Sequence, residues 1–153
     1  MELNPQDLKQ AGEVVQSFVS MNQAIIKFTQ QNASSIGLTV QQMAILNLIR
    51  AKPEITLKAI AERLSLPKST VSVNIDGLVN LELIERKQSQ EDRREVNVKV
   101  TIKGKELSQK AIENSFSYKA MAVALEELSK EDIQTLLSIH NKLLASLRQT
   151  SFL

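Results

Sequence analysis

IAERLSLPKSTVSVNIDGLVNLELIER, Ile60–Arg86, followed by EDRREVNVKVTIKGKEL, Glu91–Leu107, decides how this chain folds. Ser65-Leu66-Pro67 separates two helical patterns and is too short for anything but a tight helix–helix corner. Before it, Thr56 caps a short helix that carries Leu57, Ile60, Ala61 and Leu64 on one side. After it, a helix from about Lys68 to Asn80 has Val71, Ile75, Leu78 and Val79 as its buried stripe. The period then changes from helical to alternating. Leu83, Ile84 and Arg86 enter one strand, and Val96, Val98, Val100 and Ile102 alternate with Asn97, Lys99 and Thr101 in a second. Gln88 to Arg93 is polar and turn-like, so the two strands make a hairpin. A two-stranded hairpin straight after a helix-turn-helix is the winged helix arrangement.

Helices flank this unit on both sides. Asn4-Pro5 reads as an N-cap with proline in the first turn of a helix of roughly 25 residues that ends before Gly37. Leu8, Ala11, Val15, Phe18 and Ile25 form one stripe on it, and Val14, Met21 and Phe28 a second, so it needs more than one partner. Thr39 with Gln42 is a capping box for the next helix, which Pro53 ends. Thr101 caps a helix expected to run through Leu107, Ala111, Tyr118, Met121 and Leu125. Ser129 with Asp132 is a capping box for the last helix, where Ile133, Leu136, Leu137, His140, Leu143, Leu144 and Leu147 form a wide apolar face. The fold class is therefore mainly α: a winged helix-turn-helix with a two-stranded β-hairpin wing and helical regions at both ends. The terminal helices are too long to be covered by a small winged helix, and the simplest partner is a second copy across a two-fold axis.

Charge is distributed unevenly. The 153 residues carry a formal charge of only +2, yet Arg86–Lys105 holds seven Lys/Arg against three acids, which leaves the rest of the chain at −2. A basic strip on a nearly neutral body suits an anionic partner. There are no cysteines, so disulfides and thiolate metal sites are excluded. No apolar run approaches the roughly 20 residues of a membrane span, and Met1–Asp7 lacks a signal pattern, so a cytoplasmic protein without membrane contact is expected.

From Leu38 to about Leu107 the sequence resembles the MarR family of bacterial regulators. The Asp92-Arg93-Arg94 tip leading into Val100-Thr101 and then Lys103-Gly104-Lys105 carries the resemblance most specifically. It implies a single domain with residues 38–103 as the DNA-binding winged helix-turn-helix and residues 1–36 and 104–153 as a helical dimerisation region. It also implies a homodimeric regulator, a repressor of a nearby promoter, that responds to a small aromatic or anionic molecule. The chain departs from the pattern in three places. Many relatives carry Arg or Lys where Val73 and Gly77 stand, so base discrimination by this helix is expected to be modest. Glu82 occupies a position that is usually Gly, and a left-handed turn there costs about 1 kcal/mol more without it.

A recognition helix enters the major groove near its N-terminus. With the buried stripe set inward, Ser69, Thr70, Val73, Asp76 and Gly77 point outward and Asn74 lies on the flank. Hydroxyls of Ser69 and Thr70 suit either base type, Val73 a thymine methyl, and Asn74 adenine; Lys68 suits a phosphate. Asp76 faces the wrong way for a phosphate and is expected to pair with a nearby basic side chain. The wing tip can reach the minor groove, whose negative potential favours Arg. As the resemblance implies, Asp92 orients Arg94, which enters the groove, while Arg93, Lys87 and Lys99 serve phosphates. The expected partner is double-stranded DNA with a pseudo-palindromic operator, its half-sites about one helical turn apart.

Other classes fit less well. No Gly-rich phosphate loop or metal-ligand cluster is present, and no Cys stands ready for activation, so an enzyme, a cofactor or a metal site is not expected. The single His140 cannot build a triad or a metal-sensing site and reads as a packed or interface residue. A winged helix used only for protein interaction is the alternative, which the cations on the wing argue against. Phe18, Phe28, Phe116, Tyr118 and Met121 are the candidate effector-pocket residues, with packing as the simpler role for each.

Overall fold

The computed structural model describes residues 4–88 and 96–151. Its elements run α1 (Pro5–Ser35), α2 (Val40–Ala51), α3 (Leu57–Leu64), α4 (Lys68–Asn80), β1 (Ile84–Gln88), β2 (Val96–Val100), α5 (Ile102–Glu113), α6 (Phe116–Leu125) and α7 (Lys130–Gln149). The chain divides into two units, one ending at Ser117 and the other starting at Tyr118.

The starts of α1, α2, α3, α5 and α7 follow the sequence closely, because each has a side chain that satisfies a backbone N–H left orphaned in the first turn. Asn4 accepts from Gln6 N, Thr56 from Ala59 N, and Thr101 from Gly104 N. Thr39 and Gln42 form the complete reciprocal box. At α7, Ser129 accepts from Asp132 N, but the Asp132 carboxylate takes the Ser129 hydroxyl rather than the cap's backbone N–H, so this box is half formed.

Three helices of the first unit end in the same way. Gly37, Ser65 and Glu82 have φ of 73°, 52° and 60°. In each case the next residue's N–H reaches back five residues: Leu38 to Ala33 O, Leu66 to Ala61 O and Leu83 to Leu78 O, all 3.0 Å. These are Schellman closures, which satisfy orphan carbonyls and turn the chain sharply. Only the first uses glycine. Glu82 adopts the left-handed conformation that the missing glycine made costly.

The core of this unit is assembled from Ile45, Leu46 and Ile49 of α2, Ile60 of α3, Val71, Ile75 and Leu78 of α4, and Leu83, Ile84 and Val98 of the wing base. Burying such side chains contributes about 1.5–3 kcal/mol each. The strands pair antiparallel with Ile84 opposite Val100 and Arg86 opposite Val98. The segment before α3 adds to this sheet through a bridge of Thr56 with Asn97 and a bond from Val98 N to Ile55 O. Helix α5 is tied to α2 by Ser108 Oγ donating to Asn47 Oδ1 at 2.7 Å, and to the end of α1 by Asn32 Nδ2 donating to Ala111 O at 3.0 Å.

Two expectations fail locally. The alternation through Ile102 overruns the strand: β2 stops at Val100 because Thr101 turns to cap α5, and Ile102 is 81% exposed. The single helix expected from Thr101 through Leu125 is broken at Asn114 and Ser115. Asn114 bonds back to Lys110 O with its side chain, and Ser115 Oγ pairs with Ser117 Oγ, so local side-chain bonds compete with helix continuation.

Beyond the core, α1 buries only Asn32 and Ala33, leaving Leu8, Val15, Phe18 and Met21 exposed. In the second unit, no residue of α7 is buried, and Leu136, Leu137, Ile139, Leu143, Leu144 and Leu147 are exposed. No helix among the described residues is long and apolar enough to cross a membrane.

The turn joining α4 to the wing leaves no room beside it. A Cβ on Gly104 would lie 1.9 Å from Leu83 O and 2.8 Å from Leu83 C, both backbone atoms. Gly104→Ala is expected to cost at least about 3 kcal/mol by overpacking. Glu82→Gly should stabilise by up to about 1 kcal/mol by relieving the left-handed residue. Urea unfolding midpoints at constant slope check both.

Candidate nucleic-acid interface

Pro67, the residue before α4, has no side chain able to cap it, so the first N–H groups of the helix receive no side-chain partner from the cap residue. That leaves partial positive charge at the end carrying Lys68 and Ser69, both exposed. Val73 stands one turn on and is 70% exposed, unusual for an aliphatic side chain on a helix otherwise packed by Val71, Ile75 and Leu78.

The two flanks of α4 are held differently. On one side Arg86 of β1 donates to Asp76 Oδ1 in an ion pair, which is the basic partner expected for Asp76. On the other side lies the N-terminus of α2. Asn74 Nδ2 donates to Thr70 O at 2.9 Å and to Gln41 Oε1 at 3.1 Å. Gly77 faces α2 as well, where an added Cβ would meet Gln42 Nε2 at 2.7 Å. Gly77 therefore sits against a helix rather than facing outward, since the angular step per residue carries it round to the α2 side. An open depression of about 540 Å³ lies here, lined by Thr39, Val40, Gln41, Ser69, Thr70, Val73 and Asn74. Thus the structure brings Ser69, Thr70, Val73 and Asn74 together and adds Gln41, which no helical pattern of α4 alone could have flagged.

Lys87 and Lys99 are both exposed. The pairing of Glu85 with Lys99 and Lys87 with Asn97 puts them on one face of the hairpin, diagonal to each other. Asp92, Arg93 and Arg94 lie outside the described residues. The candidate effector side chains do not line that depression. In the first unit Phe18, Phe28 and Phe116 are exposed, and ten residues separate the two on α1, about 15 Å along the axis. In the second, Tyr118 is exposed and Met121 half-buried. No group of three or more His, Cys, Asp or Glu that could hold a metal occurs among the described residues.

A helix-turn-helix followed by a cationic hairpin defines a winged helix DNA-binding protein. A family model described as MarR family matches residues 36–95. The solved structure of a multiple antibiotic-resistance repressor from Listeria monocytogenes is 30% identical, covering 94% of this chain and 99% of that one, with a TM-score of 0.65. The chain belongs to the MarR family of transcription regulators. A Staphylococcus aureus MarR in complex with salicylate and kanamycin is 23% identical over 94% of this chain and 95% of its own, with a TM-score of 0.82. The apo form of Escherichia coli MarR is 22% identical over 94% and 99%, with a TM-score of 0.72. No curated protein sequence matches the chain.

Asp76 places negative charge beside the exposed face of α4, and Arg86 neutralises it. The pair is about half exposed, so either substitution should change stability by less than about 1 kcal/mol. Asp76→Asn is expected to tighten binding to duplex DNA and steepen its salt dependence, because Arg86 becomes available to phosphate. Arg86→Ala should weaken binding and flatten it. Fluorescence anisotropy over a salt series reads both, and weaker binding by Asp76→Asn would show that the pair's geometry outweighs its charge.

Proposed function

We propose that the protein is a homodimeric, sequence-specific repressor whose DNA affinity is modulated by a small aromatic or anionic molecule. The observation that carries this reading is the exposed edge of α4, Ser69 and Val73 with Thr70 beside them, next to a hairpin whose described residues add Lys87 and Lys99. The repressor role is supported by the Listeria relative, and the effector class by the salicylate bound to the Staphylococcus protein. Dimerisation is supported by the uncovered apolar residues of α1 and, separately, of α7, because contiguous exposed apolar surface on this scale marks an interface. A two-fold dimer reads an inverted repeat with half-sites about 10 bp apart, one recognition helix in each major groove.

In this reading the helix selects sequence and the wing supplies charge. Ser69 and Thr70 contact base edges, Lys68, Lys87, Arg93 and Lys99 contact phosphates, and Arg94 enters the minor groove with Asp92 holding its guanidinium.

The test is affinity for duplexes enriched from a randomised pool, measured across salt. Arg94→Ala should weaken binding by about 1–3 kcal/mol per contact and reduce the salt slope by about one per protomer. Ser69→Ala and Thr70→Ala should change sequence preference with the slope nearly intact. Asp92→Ala should bind more weakly despite its added positive charge, whereas tighter binding would show an aspartate that is only a solvated neighbour. Sedimentation checks assembly: the protein is expected to be a dimer, and Leu136→Asp or Leu144→Asp should lower dimer stability. A stable monomer at micromolar concentration contradicts the dimeric reading.

A further inference from the structure

The amide polarity around Asn74 is fixed by the backbone. Thr70 O can only accept, so the Asn74 atom that meets it at 2.9 Å must be the amide nitrogen. The second hydrogen of that nitrogen points to Gln41, so the Gln41 atom it meets at 3.1 Å must be the amide oxygen. Both amides are thereby oriented in sequence from one carbonyl. What remains is complementary: Asn74 retains its oxygen, an acceptor, and Gln41 retains its nitrogen, a donor of two hydrogens. Neither of these atoms has a hydrogen bond within the chain among the described residues, and both residues line the depression beside Ser69 and Val73.

An asparagine that reads adenine by itself needs its own N–H for N7 and its own oxygen for the N6 amino group. Asn74 cannot do so here without giving up one of its two bonds, since both of its N–H groups are in use. The pair together can. The free Asn74 oxygen accepts from an amino group and the free Gln41 nitrogen donates to a ring nitrogen, which is the donor–acceptor pattern adenine presents in the major groove. Guanine presents two acceptors there and would set its O6 against the Asn74 oxygen. We propose that Gln41 of α2 and Asn74 of α4 form a composite adenine reader, so that base specificity is shared between the recognition helix and the helix packed beside it.

This rests on the DNA-binding reading, and the experiment keeps the two apart. The full-length wild type, Gln41→Ala, Asn74→Ala and Gln41→Glu are each used to enrich a randomised duplex pool, and the selected duplexes are sequenced. The wild type should select an adenine at one position in each half-site. Gln41→Ala and Asn74→Ala should lose selection at that position alone, with roughly tenfold less discrimination between adenine and guanine there. Gln41→Glu keeps an oxygen toward Asn74 but turns the free donor into an acceptor, so the preference should move from adenine toward cytosine, whose N4 amino group only donates. Replacing the selected adenine by 7-deazaadenine should weaken wild-type binding and leave Gln41→Ala unaffected. Unchanged preferences in the Gln41 and Asn74 variants, or a uniform loss of affinity with the same preferences, overturn the composite reader while leaving DNA binding intact. Enrichment of no sequence by the wild type overturns the DNA-binding reading and the reader with it.

Discussion

Leu83 is the residue through which α4 becomes the wing. Its N–H closes the end of α4 on Leu78 O, its side chain is buried at 2% exposure, and its carbonyl accepts from Thr101 N at 3.0 Å. The two carbonyls before it are also taken: Glu82 O by the Thr101 hydroxyl at 2.7 Å and Leu81 O by Lys103 Nζ at 3.1 Å. Three successive carbonyls that a helix end would leave to water are thus satisfied by Thr101 and Lys103, at the start of α5. The approach is close enough that only glycine fits at position 104. The base of the wing, α4 and α5 are therefore tied together at this turn. A left-handed Glu82 is tolerated because the surrounding bonds over-determine the turn.

That connection gives meaning to the distribution of charge. Between Lys68 and Asp76 helix α4 has no ionisable side chain, and Asp76 is itself neutralised by Arg86. In the proposed reading such a helix contributes little to the long-range attraction of a polyanion and acts only once it is in the groove. The wing sequence carries the cations. Since phosphate contacts position a protein and base contacts specify, the proposed reading has the two elements divide the work by residue type. Such a division needs the hairpin base and the helix held in one register, and the hydrogen bonds at Leu83, Glu82 and Leu81 tie them together.

What was legible in the sequence was mostly local chemistry. Thr39, Thr56, Thr101 and Ser129 announce helix starts because a hydroxyl three residues before a free N–H has one obvious partner. The buried stripe of α4 is legible because periodicity is itself a packing signal. Apolar alternation misled at Ile102, where a strand pattern and a cap signal overlap and the cap prevails. The break at Asn114–Ser115 was hidden because polar side chains that bond back to the helix do not interrupt its apolar spacing. The bridge between Thr56 and Asn97 and the bond between Gln41 and Asn74 join residues more than thirty apart in sequence, and no single-element pattern encodes them.

Gly77 shows how one such departure propagates. With no side chain at this position, the Gln42 side chain of α2 comes close. The nearest atom to an added Cβ is Gln42 Nε2, the far end of a flexible side chain, which would ordinarily move aside at little cost. Gln42 is not free to move, because its Oε1 accepts from Thr39 N at 3.0 Å while its own N–H is held by Thr39 Oγ1 at 3.1 Å. Displacing it opens a capping box that contributes about 1 kcal/mol to the start of α2. That start is where Gln41 meets Asn74. The glycine, the cap and the amide pair are therefore one arrangement: the space left by Gly77 admits the Gln42 cap, and the cap fixes the turn that places Gln41 beside Asn74.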